Sequence, residues 1–327
     1  MGRIVTIYQE SFPIRGVFRI SRGSRTEVEP IVVEIREGRA VGRGEAIASP
    51  RYETVEAALD QARGLSPRLS EGLDRQALAD LLPAGAARNA IDCALWDLEA
   101  KLAGRPVWQL AGLAEPGPLT TAYTLSIDTP EAMGAAARDN AHRPLLKLKL
   151  DGGGEDLARV RAVRAQAPDS TLIVDANEAW TPAGYEAMVA GLAECGVAMI
   201  EQPFPADADA VLDRLPRPIP LCADESCHTS ADLDRLRGRY DLVNIKLDKT
   251  GGLSEALALR DAAREQGFGI MVGCMLATSL GMAPATLVAQ GAEYVDLDGP
   301  LLLARDREPG LRFQGSEIAP PATELWG

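Results

Sequence analysis

Apolar and polar residues alternate with period two along Leu145-Leu146-Lys147-Leu148-Lys149-Leu150, which predicts a β-strand with leucines on one face and two lysines on the other. Seven more short β-type runs follow the same grammar between about residue 120 and the C-terminus: TTAYTLSI before it, then TLIVDAN, VAMIEQP, IPLCADES, LVNIKLDK, GIMVGCM and YVDLDGP. Helical text with apolar residues at i, i+3 and i+4 separates them, as in EDLARVRAVRAQA, AGYEAMVAGLAECG, SADLDRLRGRY and LSEALALRDAAREQG. Eight strands in regular alternation with helices predict parallel βαβ units closed into a barrel. The eighth strand runs into PLLLARD and a Pro/Gly-rich tail rather than a final helix, giving a (β/α)7β TIM-like barrel in the α/β class. A doubly wound open sheet is the competing fold, but no GxGxxG follows a first strand.

The first part of the chain has a different rhythm. VTIYQESFPI, TEVEPIVVEIREG and GRAVGRGEAIAS read as an antiparallel meander, and TVEAALDQARGL, DRQALADLLP and AARNAIDCALWDLEAKLAG read as helices. The expected organisation is an α+β capping domain over residues 1–115, a barrel over 116–309, and a tail over 310–327 that packs back on the cap.

Composition narrows the function. The chain has 327 residues, 46% apolar and 25% charged, as in soluble globular proteins. No window approaches 18 unbroken apolar residues, and the first residues carry scattered charge with no apolar core, so neither a membrane span nor a secretory signal is expected. Five cysteines form no CxxC pair, which suits a reducing cytoplasm and weighs against disulfides and a thiolate zinc site. A net charge of −13 disfavours nucleic acid and anionic membranes as partners. A small-molecule substrate is the expected partner, and a homo-oligomer is an open option.

Candidate chemistry lies at the strand ends. Lys149, Asp175, Glu201, Asp224 and Lys246 close five successive strands, 26, 26, 23 and 22 residues apart. One ionisable group per βα unit, always at the C-terminal end, is what a barrel mouth that carries chemistry requires. Three converging carboxylates repel unless a cation separates them, and an all-oxygen set without His or Cys suits Mg²⁺. Lysines flanking such an ion are expected to have lowered pKa values and to act as bases. Taken singly, a strand-end Asp is more often a turn or N-cap residue, and a KxK strand is more often a solvated edge. The combination in phase with the barrel period is what favours function.

The segments KLKL, VDANEAW, IEQP, ADES and NIKLDKTGG together resemble the enolase superfamily, in its muconate-lactonizing-enzyme subgroup, and within it the dipeptide epimerases of the L-Ala-D/L-Glu type. The resemblance implies a capping domain on a (β/α)7β barrel, with Mg²⁺ held by Asp175, Glu201 and Asp224. It implies Lys149 and Lys246 as acid/base catalysts on opposite faces of the substrate, inverting an α-carbon by 1,1-proton transfer through an enediolate. Lys147 would help hold the substrate carboxylate, with Thr124 and Cys274 as further substrate contacts. Asp296 and Asp298 share one strand face and want a cation, which the α-ammonium of a dipeptide would provide. Arg25, with Arg22 as a nearby alternative, would pair with a substrate side-chain carboxylate. The segments around Arg25 and GEAIASPRYET would form a lid. N-acylamino acid racemase, o-succinylbenzoate synthase and muconate cycloisomerase are the alternatives within the subgroup. The His-dependent branches are disfavoured, because His142 and His228 end neither the sixth nor the seventh strand.

Overall fold

The computed structural model describes residues 2–327. Five strands open the chain: β1 (Ile4–Gln9), β2 (Phe12–Ile20), β3 (Gly23–Val28), β4 (Ile31–Glu37) and β5 (Ala40–Ala46). β1, β4 and β5 form one antiparallel sheet, and β2 pairs with β3 in a separate hairpin that also bridges to Leu303 through Ile14. The expected simple meander is therefore interrupted. VTIYQESFPI breaks after Gln9 into two strands with different partners, because alternation marks a strand without marking what it pairs with.

Helices α1 (Val55–Gly64), α2 (Ser66–Ser70), α3 (Arg75–Leu81) and α4 (Ala86–Ala103) cover that sheet, followed by α5 (Val107–Leu110). α4 lies hard against β5. A Cβ added at Gly42 would stand 2.1 Å from the Ala94 carbonyl oxygen, and one at Gly44 would stand 2.0 Å from that of Ala90. Glycine is what allows this backbone-to-backbone approach.

β6 (Leu119–Thr120) leads into the barrel. Its units run β7 (Tyr123–Leu125), α6 (Pro130–Asp139), β8 (Leu145–Lys149), α7 (Asp156–Gln166), β9 (Thr171–Asp175), α8 (Pro182–Glu194) and β10 (Val197–Glu201). They continue with β11 (Leu221–Ala223), α9 (Leu233–Leu236), β12 (Leu242–Ile245), α10 (Leu247–Thr250), α11 (Leu253–Glu265), β13 (Gly269–Val272), α12 (Ser279–Val288), β14 (Tyr294–Val295) and α13 (Gly299–Leu302). The order β14-β13-β12-β11-β10-β9-β8-β7 is that of successive parallel strands. The Ala122 N–H donates to the Val295 carbonyl at 2.7 Å and joins the first strand to the eighth. Threonines start several helices: the Thr129, Thr181 and Thr278 hydroxyls accept the free backbone N–H groups of α6, α8 and α12, with proline next at the first two.

The fourth and fifth units depart from expectation. Only a 3₁₀ turn over Asp209–Asp213 follows β10, and SADLDRLRGRY yields a four-residue α9 that stops short of Gly238, whose φ is +80°. LVNIKLDK is not one strand either, since β12 ends at Ile245 and α10 begins at Leu247. β15 (Phe313–Gln314) pairs with β16 (Glu317–Ile318), which pairs in turn with β6, and the last residues then reach α4. There the Trp326 indole N–H donates to the Cys93 carbonyl at 3.0 Å, and Gly327 N–H to Asp97 Oδ1 at 2.8 Å. No helix among the described residues is long and apolar enough to cross a membrane.

The barrel interior is layered by the period of two. Ala122, Leu145, Ile173, Met199, Cys222, Leu242 and Met271, one residue from each of seven strands or strand starts, form a closed apolar cluster. Two residues further along each strand, on the same inward face, stand Lys147, Asp175, Glu201, Asp224 and Asn244. The outward-facing Leu146, Leu148 and Leu150 join the core that contains Val160 and Val163 of α7. Both lysines of KLKL are therefore enclosed.

Candidate active site

Nearly every charge at the barrel mouth is buried and paired. The Lys149 ammonium donates to Asp175 Oδ2 at 2.5 Å, and that of Lys246 to Asp224 Oδ2 at 2.6 Å. Lys147, 1% exposed, has its ammonium 2.6 Å from Glu201 Oε2, 2.7 Å from Asp296 Oδ2 and 3.2 Å from Asp175 Oδ2. This is the partner set that a buried KxK strand demands.

Burial alone would push the Lys147 and Lys246 ammoniums down. The surrounding carboxylates outweigh it and hold both well above the ordinary lysine value. The expected lowering depended on neighbouring cations, whereas the neighbours here are acids. Burial opposes ionisation of Asp175 and Asp224 too, but Lys149 and Lys147 at the first, and Lys246 and Lys249 at the second, hold both below the usual carboxylate range. Glu201 goes the other way: burial, then repulsion from Asp175, pushes it up to about 7.

As the side chains lie, no three His, Cys, Asp or Glu groups among the described residues gather on one point. Lysines stand between the acids instead. The backbone nevertheless sets the trio side by side, with Asp175 and Glu201 as register partners on β9 and β10 and Asp224 just past β11, which pairs with β10. Adjacent strands are about 4.8 Å apart, so side-chain rotation suffices to bring carboxylate oxygens onto a shared ion. Glu201 Oε2 and Asp224 Oδ1 already lack a hydrogen-bond donor although each has an ammonium close by. The donor set is all oxygen and fits a hard divalent cation.

Above this layer a cavity of about 440 Å³ separates the barrel from the cap. Lys149, Lys246, Asp224 and Cys274 line it from below, and Arg22, Arg25, Ile47, Arg51 and Tyr52 from above. Burial pushes the Cys274 thiol well above its ordinary value, so it stays protonated. Arg25 has no acidic partner among the described residues, and burial with repulsion from Arg22 lowers its pKa. Arg22 is already committed, to Glu225 at 2.8 Å and Glu178 at 3.3 Å.

Asp296, Asp298 and Thr124 are buried and do not line this cavity. Asp298 accepts the Thr124 N–H at 2.7 Å, and burial with repulsion from Asp296 pushes its carboxyl up to about 7. The cation beside Asp296 is the Lys147 ammonium. Lys147 thus faces acids rather than the cavity, which differs from its expected place beside a substrate carboxylate.

Three site residues went unread in the sequence. Asn244 donates its amide to Glu201 Oε1 at 2.7 Å. Lys249, fully buried, reaches Asp224 Oδ1 at 2.7 Å, the Asp224 backbone carbonyl, and the carbonyls of Cys227 and Asn244 at 2.8 and 3.0 Å. Gln202, at φ +35°, accepts from the backbone N–H groups of Asp224 and Ser226 at 2.9 and 3.1 Å. His228 is an N-terminal turn residue whose ring meets Tyr52 edge-on at 4.7 Å.

Residues 3–112 match the mandelate racemase/muconate lactonizing enzyme N-terminal domain, and residues 132–323 match the enolase C-terminal domain-like family. The chain is 47% identical to an L-Ala-D/L-Glu epimerase of Escherichia coli (strain K12), covering 97% of this chain and 99% of that one. It is 46% identical to an N-acetyl-D-glutamate racemase of a Pseudoalteromonas species, over 91% of this chain and 95% of that one. A solved enolase family member from Agrobacterium tumefaciens, with homology to dipeptide epimerases and with sodium and L-Ala-L-Glu bound, superposes with a TM-score of 0.97 at 50% identity, covering 99% of this chain and 100% of that one. A dipeptide epimerase from Methylococcus capsulatus, complexed with Mg and L-Arg-D-Lys, gives a TM-score of 0.87 at 32% identity over 98% of both chains. The chain belongs to the mandelate racemase/muconate lactonizing enzyme family of the enolase superfamily.

Proposed function

We propose that this protein is an isomerase, a Mg²⁺-dependent dipeptide epimerase that inverts the α-carbon of the C-terminal residue of an L-Ala-D/L-Glu type dipeptide. The observation that carries this reading is the pair of buried lysines, Lys149 on β8 and Lys246 after β12, both lining one cavity with the acid layer between their strands.

Asp175, Glu201 and Asp224 would hold the ion. Bound there, Mg²⁺ would supply positive charge to a substrate carboxylate as the α-proton leaves, and would free the ammoniums from the carboxylates that now hold them. Lys149 and Lys246 do the proton work. One, neutral, takes the α-proton from its face, and the other, charged, returns a proton to the opposite face. Reversing their roles runs the reaction backwards. Arg25 offers an unpaired guanidinium to a substrate side-chain carboxylate, which favours Glu or Asp at the inverted position. Asp296 and Asp298 would supply negative charge for the dipeptide α-ammonium by turning from Lys147 and Thr124 toward the cavity, whose wall includes Cys274. The cap walls the cavity from above, and its closure over a bound substrate would exclude water.

One observation favours a second reading, racemisation of an N-acylated glutamate. Asp296 is already neutralised by Lys147 and Asp298 is bonded to Thr124, so neither is left open to an ammonium here. Incubating the protein with Mg²⁺ in D₂O, with L-Ala-L-Glu or N-acetyl-L-glutamate, decides between them. We expect deuterium at the glutamate α-carbon of the dipeptide, loss of the signal with EDTA and recovery on adding Mg²⁺. A higher kcat/KM for N-acetylglutamate would favour the second reading, and no deuterium in either compound would reject both.

A further inference from the structure

Glu178 has no part in the chemistry above, yet its position is costly. It follows Asn177 in the turn after β9, and the two have φ values of +69° and +44°. Consecutive left-handed residues other than glycine are uncommon, and glutamate lacks the short side chain that eases this conformation for asparagine. Such backbone strain persists where the surroundings over-determine it, often at ligand clamps. Here the Glu178 N–H donates to the Gln202 carbonyl at 2.9 Å.

The side chain, 8% exposed, points beneath the cap rather than into solvent. Its Oε1 accepts the Ala206 N–H at 2.9 Å, which fixes the carboxylate to the loop after β10. What remains of its bonding capacity goes to two arginines of the cap. Arg51 forks onto it, Nε to Oε2 at 2.8 Å and Nη2 to Oε1 at 3.0 Å. Arg22 Nη1 reaches Oε2 at 3.3 Å and also the Asn177 carbonyl at 2.9 Å. Arg22 is at the turn of the β2–β3 hairpin and Arg51 is in the loop after β5, the two cap segments that wall the cavity. No other barrel carboxylate among the described residues pairs with both segments, since Glu225 takes Arg22 alone. The cavity holds three arginines, and these pairings leave only Arg25 without an acid.

We propose that Glu178 is a positioning residue for substrate binding. Its carboxylate clamps Arg22 and Arg51, so both cap segments lie closed over the cavity and Arg25 alone remains to meet a substrate carboxylate. The clamp follows from the geometry, whereas its link to substrate rests on the dipeptide reading, so the test has two arms.

Glu178→Gln keeps the shape and the Ala206 bond but loses the charge. In the first arm, hydrogen exchange by mass spectrometry should show faster exchange in residues 17–26 and 47–53, with β8 to β12 unchanged. Arg51→Gln should loosen only 47–53, and Arg22→Gln only 17–26. In the second arm, KM of Glu178→Gln for L-Ala-L-Glu should rise about tenfold with kcat changed less than about threefold, the pattern of lost uniform binding. Unchanged exchange in both segments overturns the clamp, as does uniform loosening of the whole barrel. A fall in kcat at constant KM overturns the positioning role. If the wild type turns over no dipeptide, the epimerase reading fails and the exchange arm still decides the clamp.

Discussion

At the residue scale, the proposed chemistry rests on two lysine–carboxylate pairs, Lys149 with Asp175 and Lys246 with Asp224, each spanning neighbouring strands. Acid and base groups of this kind contribute roughly 10²–10⁴ in rate. Lys149→Ala and Lys246→Ala should each lower kcat for epimerisation by at least that range. Each variant keeps one lysine, so each should still exchange the α-proton of one epimer in D₂O, and the two variants should exchange opposite epimers. NMR of the recovered dipeptide reads this directly. Ordinary epimerisation by either variant, or exchange of the same epimer by both, would end the two-base assignment. The five strand-end groups were legible in the sequence because charge at a repeated interval stands out. Asn244 was not, having no charge, although it shares a strand face with Lys246 by the period of two. Lys249 escaped because LVNIKLDK reads as one strand, whereas the chain turns into α10 and carries this lysine back toward Asp224.

At the scale of elements, strand positions were legible while pairing was not. Each barrel strand carries its own apolar run, and a parallel partner must be the next such run in sequence. The cap lacks that constraint, so the β2–β3 hairpin, which brings Arg22 and Arg25 to the cavity, could not be separated from β1 by alternation alone. A second join between cap and barrel is made by Asp248 of α10, whose Oδ1 accepts the Ile47 N–H and the Asn89 amide, both at 2.9 Å. Burial pushes this carboxyl up to about 7 from an ordinary value of 3.8. A carboxyl raised in the folded state favours folding fully at pH below 3.8, and that contribution is lost as pH climbs toward 7. The residue keeps some solvent exposure, so the loss is on the order of 1–2 kcal/mol, less than the full shift at 1.36 kcal/mol per unit implies. Asp248→Asn retains the accepting oxygen and cannot ionise. Its thermal midpoint relative to wild type should therefore rise by a few degrees between about pH 5 and 8. Parallel pH profiles for the two proteins would show that Asp248 is not strained by its charge.

At the scale of the whole molecule, cap and barrel are tied on both sides of α4. On one side Arg88 reaches the carbonyls of Thr250 and Gly251 at 2.5 and 3.2 Å, and Asp92 accepts the Ser254 hydroxyl at 2.6 Å. On the other, the C-terminal segment leaves the barrel, pairs with β6 and returns over α4, where Leu325 and Trp326 are almost fully buried. Arg43 holds the same segment through the Glu324 and Leu325 carbonyls at 2.7 and 2.9 Å. Trp326→Ala removes a large buried ring, leaves a void beside Val107 and removes the indole N–H that donates to the Cys93 carbonyl. Large-to-small changes of this kind cost about 3–5 kcal/mol. Urea unfolding of the variant should show a loss in that range. The Trp326 site is separate from the cavity that holds Lys149 and Lys246, so kcat at temperatures well below the transition should stay within about twofold. A stability loss under 1 kcal/mol would mean that the segment only rests on the cap. A large fall in kcat without unfolding would mean that the fastening of α4 reaches the cavity.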